Sequence, residues 1–223
     1  MKKGLVSLIL TMALAAVFTG CKSKEPATVY EVNHVVTDKT QGTEQKTQNT
    51  EAADENVELL SGKYEVRIEI ENYGDILVEL DADAAPISVT NFMKLVNEGY
   101  YEGLTFHRII EGFMMQGGMS QDKPAANIKG EFAANGIVNP IKHVRGTISM
   151  ARANDPNSAS SQFFICHQDS DFLDGQYAAF GHVVSGIEVV DKICEEAEPI
   201  DNNGAIAPEK QPVIKGIYDV TAD

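Results

Sequence analysis

Tryptophan is absent from this chain of 223 residues, so no site in it can use an indole N–H as a hydrogen-bond donor. Cations are also scarce, with 18 Lys and Arg against 33 Asp and Glu and a formal net charge of −15. That balance argues against nucleic acid and anionic lipid as electrostatic partners, and leaves a mild preference for neutral or basic polypeptide segments. The apolar run from Leu5 to Phe18 falls short of the roughly 20 residues that a membrane-spanning helix needs.

Residues 1–20 have the three-part form of a secretory signal peptide. Lys2 and Lys3 give a positive start, the apolar run follows, and small residues precede Cys21. Thr19-Gly20-Cys21 resembles a bacterial lipobox, although Phe18 stands where leucine is usual. We therefore expect a lipid on Cys21 that holds the protein at the cell membrane or envelope, facing outside the cytoplasm. The alternative is an ordinary secreted protein cleaved near this point.

Residues 21–60 are predicted to be a disordered tether. They are rich in Thr, Gln, Glu, Asn and Lys, and residues 37–50 contain no large apolar side chain. Residues 61–223 then make one domain of ordinary size, large enough for a proper core. Its two cysteines, Cys166 and Cys194, lie in apolar patterns without a cationic neighbour in sequence. An exported protein can join such a pair in a disulfide, but two buried free thiols are the favoured interpretation.

The domain shows mainly the two-residue period of β-strands. Alternating apolar residues from Tyr64 to Ile70, a turn at residues 72–75 and further alternation from Ile76 to Leu80 predict a hairpin. Two helices are predicted, one starting at Pro86 and ending before Gly99, and one over residues 187–194. Six more strands are predicted over residues 105–109, 113–117, 146–150, 162–166, 178–184 and 213–220. Eight strands fit a closed antiparallel barrel, although the pattern alone also allows a sandwich.

Three linked segments carry the strongest signal. Residues 106–118 read FHRIIEGFMMQGG, residues 146–152 read GTISMAR, and residues 160–165 read SSQFFI. Together, and in this order, they resemble the cyclophilin family of peptidyl-prolyl cis-trans isomerases, from about residue 64 to the C-terminus. The resemblance implies a closed eight-stranded barrel capped by two α-helices, with a substrate groove on the outside of the barrel.

The resemblance also implies an isomerase that works without a cofactor and rotates X–Pro bonds. Rotation faces a barrier of about 18–20 kcal/mol, because the amide is stabilised by resonance. In the twisted state the proline nitrogen gains a lone pair, so a fixed donor aimed at it binds that state better than either planar form. By resemblance Arg108 is this donor, and Gln116 bonds the substrate backbone and helps to hold the arginine. The remaining residues implied to bind substrate are Phe113, Met114, Ala151, Arg152, Ala153, Gln162, Phe164, Phe172, Leu173 and Tyr177.

Three positions depart from the family pattern. Arg152 stands where asparagine is common, which leaves its backbone able to pair with a peptide but puts the side-chain contact in question. Phe172 stands where many eukaryotic members of the family carry tryptophan, so the chain lacks the indole donor, and we predict weak binding of the family's inhibitor cyclosporin. Tyr177 stands where many members carry histidine and still offers a hydrogen bond above an apolar ring, so activity is expected to survive at an altered rate.

Two functions compete. The first is a lipid-anchored isomerase that assists the folding of exported proteins, since unaided proline isomerisation takes tens of seconds. The alternative is a chaperone or scaffold that binds proline-containing segments, with turnover incidental. His107 fits a packed strand residue, and the spacing of His143, His167 and His182 predicts no metal site. The chain is expected to be a monomer.

Overall fold

A computed structural model describes residues 58–221. The predicted signal peptide, the lipidation site at Cys21 and most of the predicted tether lie outside these residues. The described part contains eight strands and two α-helices. The strands are β1 Lys63–Ile70, β2 Gly74–Asp81, β3 Phe106–Ile110, β4 Met114–Gly117, β5 Thr147–Met150, β6 Phe163–Cys166, β7 Ala179–Ser185 and β8 Ile214–Asp219, and the helices are α1 Pro86–Asn97 and α2 Ile187–Glu196. Neither helix is long and apolar enough to cross a membrane.

All eight strands join in one antiparallel sheet with the order β3-β4-β6-β5-β7-β2-β1-β8. The predicted strands and helices are confirmed, with bounds that shift by one or two residues. Short 3₁₀ turns at residues 133–135, 171–173 and 208–210 were not predicted. The two edge strands approach each other through a bridge between Thr105 and Val213. Closure into a complete barrel stays a prediction, because the sheet order ends at β3 and β8.

The inner face of the sheet carries the main core. Val66, Ile68, Val78 and Leu80 of the hairpin are fully buried, as the alternating pattern predicted. The buried face of α1 includes Phe92, whose ring lies 5.2–5.5 Å from the rings of three other buried aromatics, Tyr101, Phe163 and Phe180. Helix α1 packs against β8 and β2, and α2 packs against β2 and β4. This packing fixes the sheet on which the site is built.

A carboxylate from a distant loop caps helix α1. No side chain of the preceding residue, Ala85, bonds the helix start. Instead Glu131, which is 1% exposed, accepts hydrogen bonds from the backbone N–H groups of Ile87 and Ser88 at 2.9 and 2.8 Å, and from the Ser88 hydroxyl at 2.7 Å. These donors belong to the first turn, where helical N–H groups have no partner within the helix, and the negative charge also suits the helix dipole. The contact joins the long segment before β5 to the core.

Strands β4 and β6 separate two apolar clusters. Met115, Phe163 and Ile165 belong to the main core. Their neighbours Met114, Phe164 and Cys166 point to the opposite face and form a second cluster with Leu173. Successive side chains of a strand point to opposite faces, so two short strands supply both the main core and an apolar surface on the other face of the sheet.

Candidate active site

This second cluster is the floor of a groove of about 290 Å³. Met114, Phe164 and Leu173 are buried within it, while Phe113, Ala151 and Tyr177 are partly buried around it. A proline ring is apolar and compact, and such a floor suits it because burying apolar surface is favourable in proportion to its area. The residues lining the groove are Arg108, Phe113, Met114, Gln116, Ala151, Arg152, Phe164, Phe172, Leu173 and Tyr177.

One cation is fixed at the edge of this floor. Arg108 of β3 lies opposite Gln116 of β4 in the strand register, so both side chains stand on the same face. The Arg108 Nη1 donates to Gln116 Oε1 at 3.2 Å, and its Nε donates to the backbone oxygen of Asn203 at 2.7 Å. Gln116 in turn donates from Nε2 to Gln162 Oε1 at 3.0 Å. The guanidinium is thus oriented by uncharged acceptors and keeps its full positive charge.

Aromatic residues form the rim of the groove. Phe172 sits on the 3₁₀ turn at residues 171–173 and is 66% exposed, with its ring 5.4 Å from that of Phe113. The Tyr177 ring meets Phe164 edge-on at 6.0 Å. These contacts are typical aromatic pair geometries and hold the rim in place over the floor.

A second groove, of about 280 Å³, adjoins the first. The two share Gln116, Ala151 and Arg152, and Ala153 and Gln162 line the second with Ser158 and Ser160. All twelve residues of the domain that the sequence singled out therefore lie along two continuous grooves. The two serines lie in a loop, and the sequence did not predict their place in the second groove. The role of each residue stays a prediction at this point.

The family can now be assigned. The sequence model of the family described as cyclophilin type peptidyl-prolyl cis-trans isomerase/CLD matches residues 65–218. The chain belongs to the cyclophilin family. It is 50% identical over 132 residues to peptidyl-prolyl cis-trans isomerase A of Dickeya dadantii, covering 55% of this chain and 67% of the relative. It is 38% identical over 154 residues to peptidyl-prolyl cis-trans isomerase B of Escherichia coli, covering 66% and 94%.

Solved structures agree with this assignment. A cyclophilin type peptidyl-prolyl cis-trans isomerase of Cryptosporidium parvum superposes with a TM-score of 0.62 at 30% identity, covering 73% of this chain and all of that chain. A second crystal structure of the same protein, in the presence of the dipeptide Ala-Pro, gives a TM-score of 0.61 at 31% identity, with 71% and 99% covered. This cyclophilin is therefore a peptidyl-prolyl cis-trans isomerase with a mainly β, two-helix fold.

Behind the floor of this cyclophilin lies a buried polar chain that the sequence reasoning missed. The His143 ring stacks on Phe164 at 6.0 Å, with Nδ1 3.0 Å from Asp174 Oδ1 and Nε2 3.0 Å from Ser149 Oγ. Burial lowers the pKa of His143, against the opposing effect of Asp174, which favours the neutral ring. In that neutral ring Nδ1 donates to Asp174, because a carboxylate only accepts, and Nε2 accepts from Ser149. These hydrogen bonds fasten the loop that carries Leu173 to the back of Phe164.

Another histidine holds the turn between β3 and β4. The backbone N–H of Gly112 donates to His167 Nδ1 at 2.9 Å, and the His167 backbone N–H donates to the Phe113 oxygen at 2.8 Å. On its other side His167 Nε2 lies 3.3 Å from Asp191 of α2, which also pairs with Arg145 at 2.8 Å. Gly112 has a φ of 76°, a conformation that glycine adopts without strain. The position of Phe113 in the groove thus depends on α2.

The two thiols of the domain and His107 are unsuited to chemistry. Cys166 and Cys194 are both buried and free, and burial raises the pKa of each thiol to about 12. His107 is partly buried on β3, and burial lowers its pKa, as fits a packed strand residue. No group of three or more His, Cys, Asp or Glu side chains in residues 58–221 could hold a metal ion.

Proposed function

We propose that this isomerase rotates X–Pro bonds of exported polypeptides at the cell envelope, where a lipid on Cys21 anchors it. The support is the N-terminal pattern of two lysines, an apolar run and a cysteine after small residues. A catalyst of proline isomerisation has a purpose outside the cytoplasm, because unaided isomerisation takes tens of seconds and delays folding there.

Arg108 is proposed as the catalytic donor. The observation that carries this proposal is its guanidinium, held by Gln116 and Asn203 at the edge of an apolar floor. A proline ring on that floor brings its nitrogen close to the guanidinium. A donor so placed stabilises the pyramidal nitrogen of the twisted state more than either planar form, which lowers the barrier. Nothing is cleaved or transferred, so the reaction needs no general base and no cofactor.

Substrate is proposed to lie along both grooves. The C. parvum protein was crystallised in the presence of Ala-Pro, which supports proline peptides as ligands of the matching groove here. The proline would occupy the first groove, and the chain beside it would pass Ala151, Arg152 and Ala153 towards the second. We also propose that the sheet closes into a barrel. Support comes from hydrogen bonds between residues 103–106 and residues 212–214, such as Phe106 N to Pro212 O at 3.0 Å.

The first test is an NMR exchange assay on a short Ala-Pro peptide with the full chain. We expect fast isomerisation by the wild type and a loss of about 10²–10³-fold in Arg108→Ala, the usual cost of removing one preorganised donor. Arg67→Ala is the matched control, since Arg67 pairs with Asp75 and lines neither groove. Peptide binding without acceleration by the wild type would instead favour the chaperone.

The second test concerns location. Labelling cells with a radioactive fatty acid is expected to mark the wild type but not Cys21→Ser, and the variant is expected to leave the membrane fraction. Equal labelling of both, or an unlabelled wild type in the medium, would refute the anchor while leaving the isomerase activity intact.

A further inference from the structure

The two arginines of the active site differ from the other two arginines of this protein. Arg67 pairs with Asp75 at 3.2 Å, and Arg145 pairs with Asp191 at 2.8 Å. In residues 58–221 neither Arg108 nor Arg152 has a carboxylate within ion-pairing distance, and both line the same groove. The net charge of the chain is −15, yet the two arginines without a carboxylate partner in residues 58–221 are the two that line the proposed substrate groove.

Arg152 is held by contacts that leave its charge intact. Its guanidinium lies 4.6 Å above the Tyr177 ring and 5.0 Å from the centre of the Phe132 ring. Its Nε and Nη2 donate to the backbone oxygen of Gln176 at 3.0 and 2.8 Å, and its Nη1 donates to that of Ala153 at 2.8 Å. Carbonyls and aromatic faces orient a guanidinium but do not neutralise it.

The position of Arg152 makes this charge relevant to substrate. It lies where the two grooves meet, so a peptide with its proline on the apolar floor carries the neighbouring residues past it. Within residues 58–221 no acidic side chain lines either groove, and the nearby Asp174 is already paired with Lys142 at 3.2 Å. A carboxylate on the substrate would find a fixed guanidinium that no carboxylate in the described part of the chain already occupies.

We propose that Arg152 is a specificity residue that favours an acidic side chain near the proline. This inference rests on the proposed function and adds to it a class of substrate: X–Pro segments with Asp or Glu within two residues of the proline. The preference is local and runs against the overall charge of the protein, which by itself repels acidic peptides.

The test compares peptides in which Glu or its neutral isostere Gln occupies, one at a time, each of the two positions before and after proline. For the wild type we expect kcat/KM to favour Glu over Gln about two- to fivefold in at least one position, the range of a solvent-accessible ion pair. In Arg152→Gln that ratio is expected to fall to one or below. Arg67→Gln is the matched control, because it removes the same charge from a residue that lines neither groove, and it should keep the wild-type ratio.

The rate on the Gln peptides reports the isomerase itself, so failure of the enzyme and failure of this inference are distinguishable. Equal rates on Glu and Gln peptides with the wild type would overturn the inference, as would a Glu preference that survives in Arg152→Gln. Arg152→Lys guards against a folding defect in the first variant. Arg152→Lys keeps the positive charge and should therefore still prefer Glu over Gln. Loss of the Glu preference in Arg152→Lys would also overturn the inference that the charge of Arg152 causes it.

Discussion

Replacing Gln116 with glutamate separates two roles for this residue. Gln116 accepts a hydrogen bond from Arg108 at 3.2 Å. If its task were only to hold the arginine, a carboxylate would hold it better, because charge-assisted hydrogen bonds are roughly twice as strong as neutral ones. If the arginine must keep its full charge for the proline nitrogen, a carboxylate beside it is harmful. The two roles therefore predict opposite changes in kcat for Gln116→Glu.

The structure favours the second role, in which Arg108 must keep its full charge, and the expected loss of kcat follows from the strength of the competing ion pair. Opposite unit charges 4 Å apart attract by about 4 kcal/mol near a protein surface, so the carboxylate competes strongly for the same guanidinium. Removing a preorganised donor outright costs about 10²–10³-fold in kcat, and here the donor is weakened and not removed. We therefore expect Gln116→Glu to lower kcat by about 10- to 100-fold. Any change in KM would report separately on the contact with the substrate backbone that is expected of Gln116.

Two further variants complete the test. Gln116→Ala removes one acceptor of Arg108 but leaves the Asn203 contact. A hydrogen bond to a charged group is worth about 1.5–3 kcal/mol, and we expect kcat to fall by about tenfold, the lower end of that range, because the second contact still holds the guanidinium. Gln162→Glu makes the same chemical change one hydrogen bond farther from the arginine and should cost less than Gln116→Glu. Exchange NMR on an Ala-Pro peptide gives kcat and KM for each. A Gln116→Glu enzyme as fast as the wild type would refute the argument.

Three other predictions concern the cap, the histidines and the rim. Glu131→Ala should lower the free energy of unfolding by about 3–5 kcal/mol in urea denaturation, because it strands buried donors, and Glu131→Gln by about half as much. The folded pKa values of His143 and His107 lie below the unfolded value of about 6.5, so stability should fall as pH drops from about 7 to 5. The fall should be smaller in His107→Asn. Calorimetry should give a cyclosporin Kd above about 100 nM, and Phe172→Trp should tighten binding about 2- to 10-fold through one added hydrogen bond.

Each of these has a clear contrary result. A cost below about 1 kcal/mol for Glu131→Ala would show that water or another group replaces the cap. Unfolding midpoints that stay level or rise on acidification would mean that the histidines take up protons in the folded state, because the sign of the slope follows the state that binds more protons. Unchanged cyclosporin affinity in Phe172→Trp would show that the missing indole donor is not what limits binding.

The strands were predictable because their signal is local. Alternation over Tyr64–Ile70 and Ile76–Leu80 reflects one buried and one exposed face, and the register of β1 and β2 pairs these runs residue by residue. The positions of the site residues followed from the linked motifs. Arg108 and Gln116 face each other because they sit on adjacent paired strands, and the order of the motifs implied that geometry through the family resemblance.

The supporting contacts were not predictable because they join residues that are distant in sequence. Glu131 caps a helix that starts 45 positions earlier, at Pro86, and no local pattern marks that pairing. His143 and His167 were considered only as metal ligands, for which their spacing is wrong, whereas the structure gives each a role in holding a loop of the site. Stacking of Arg152 on Tyr177 likewise depends on loops that meet only in the folded chain.

The chemistry explains why the site is built on a sheet. Rotation about an amide offers no proton to move and no group to displace, so the enzyme can act only through the position of a donor relative to a ring. Strands β4 and β6 give that precision because each is anchored by side chains in the main core, Met115 on one and Phe163 and Ile165 on the other. The same strands present Met114, Gln116 and Phe164 to the substrate from their other face. Changes in the inner residues should therefore alter kcat without touching the substrate, since a small misplacement of a catalytic group is costly.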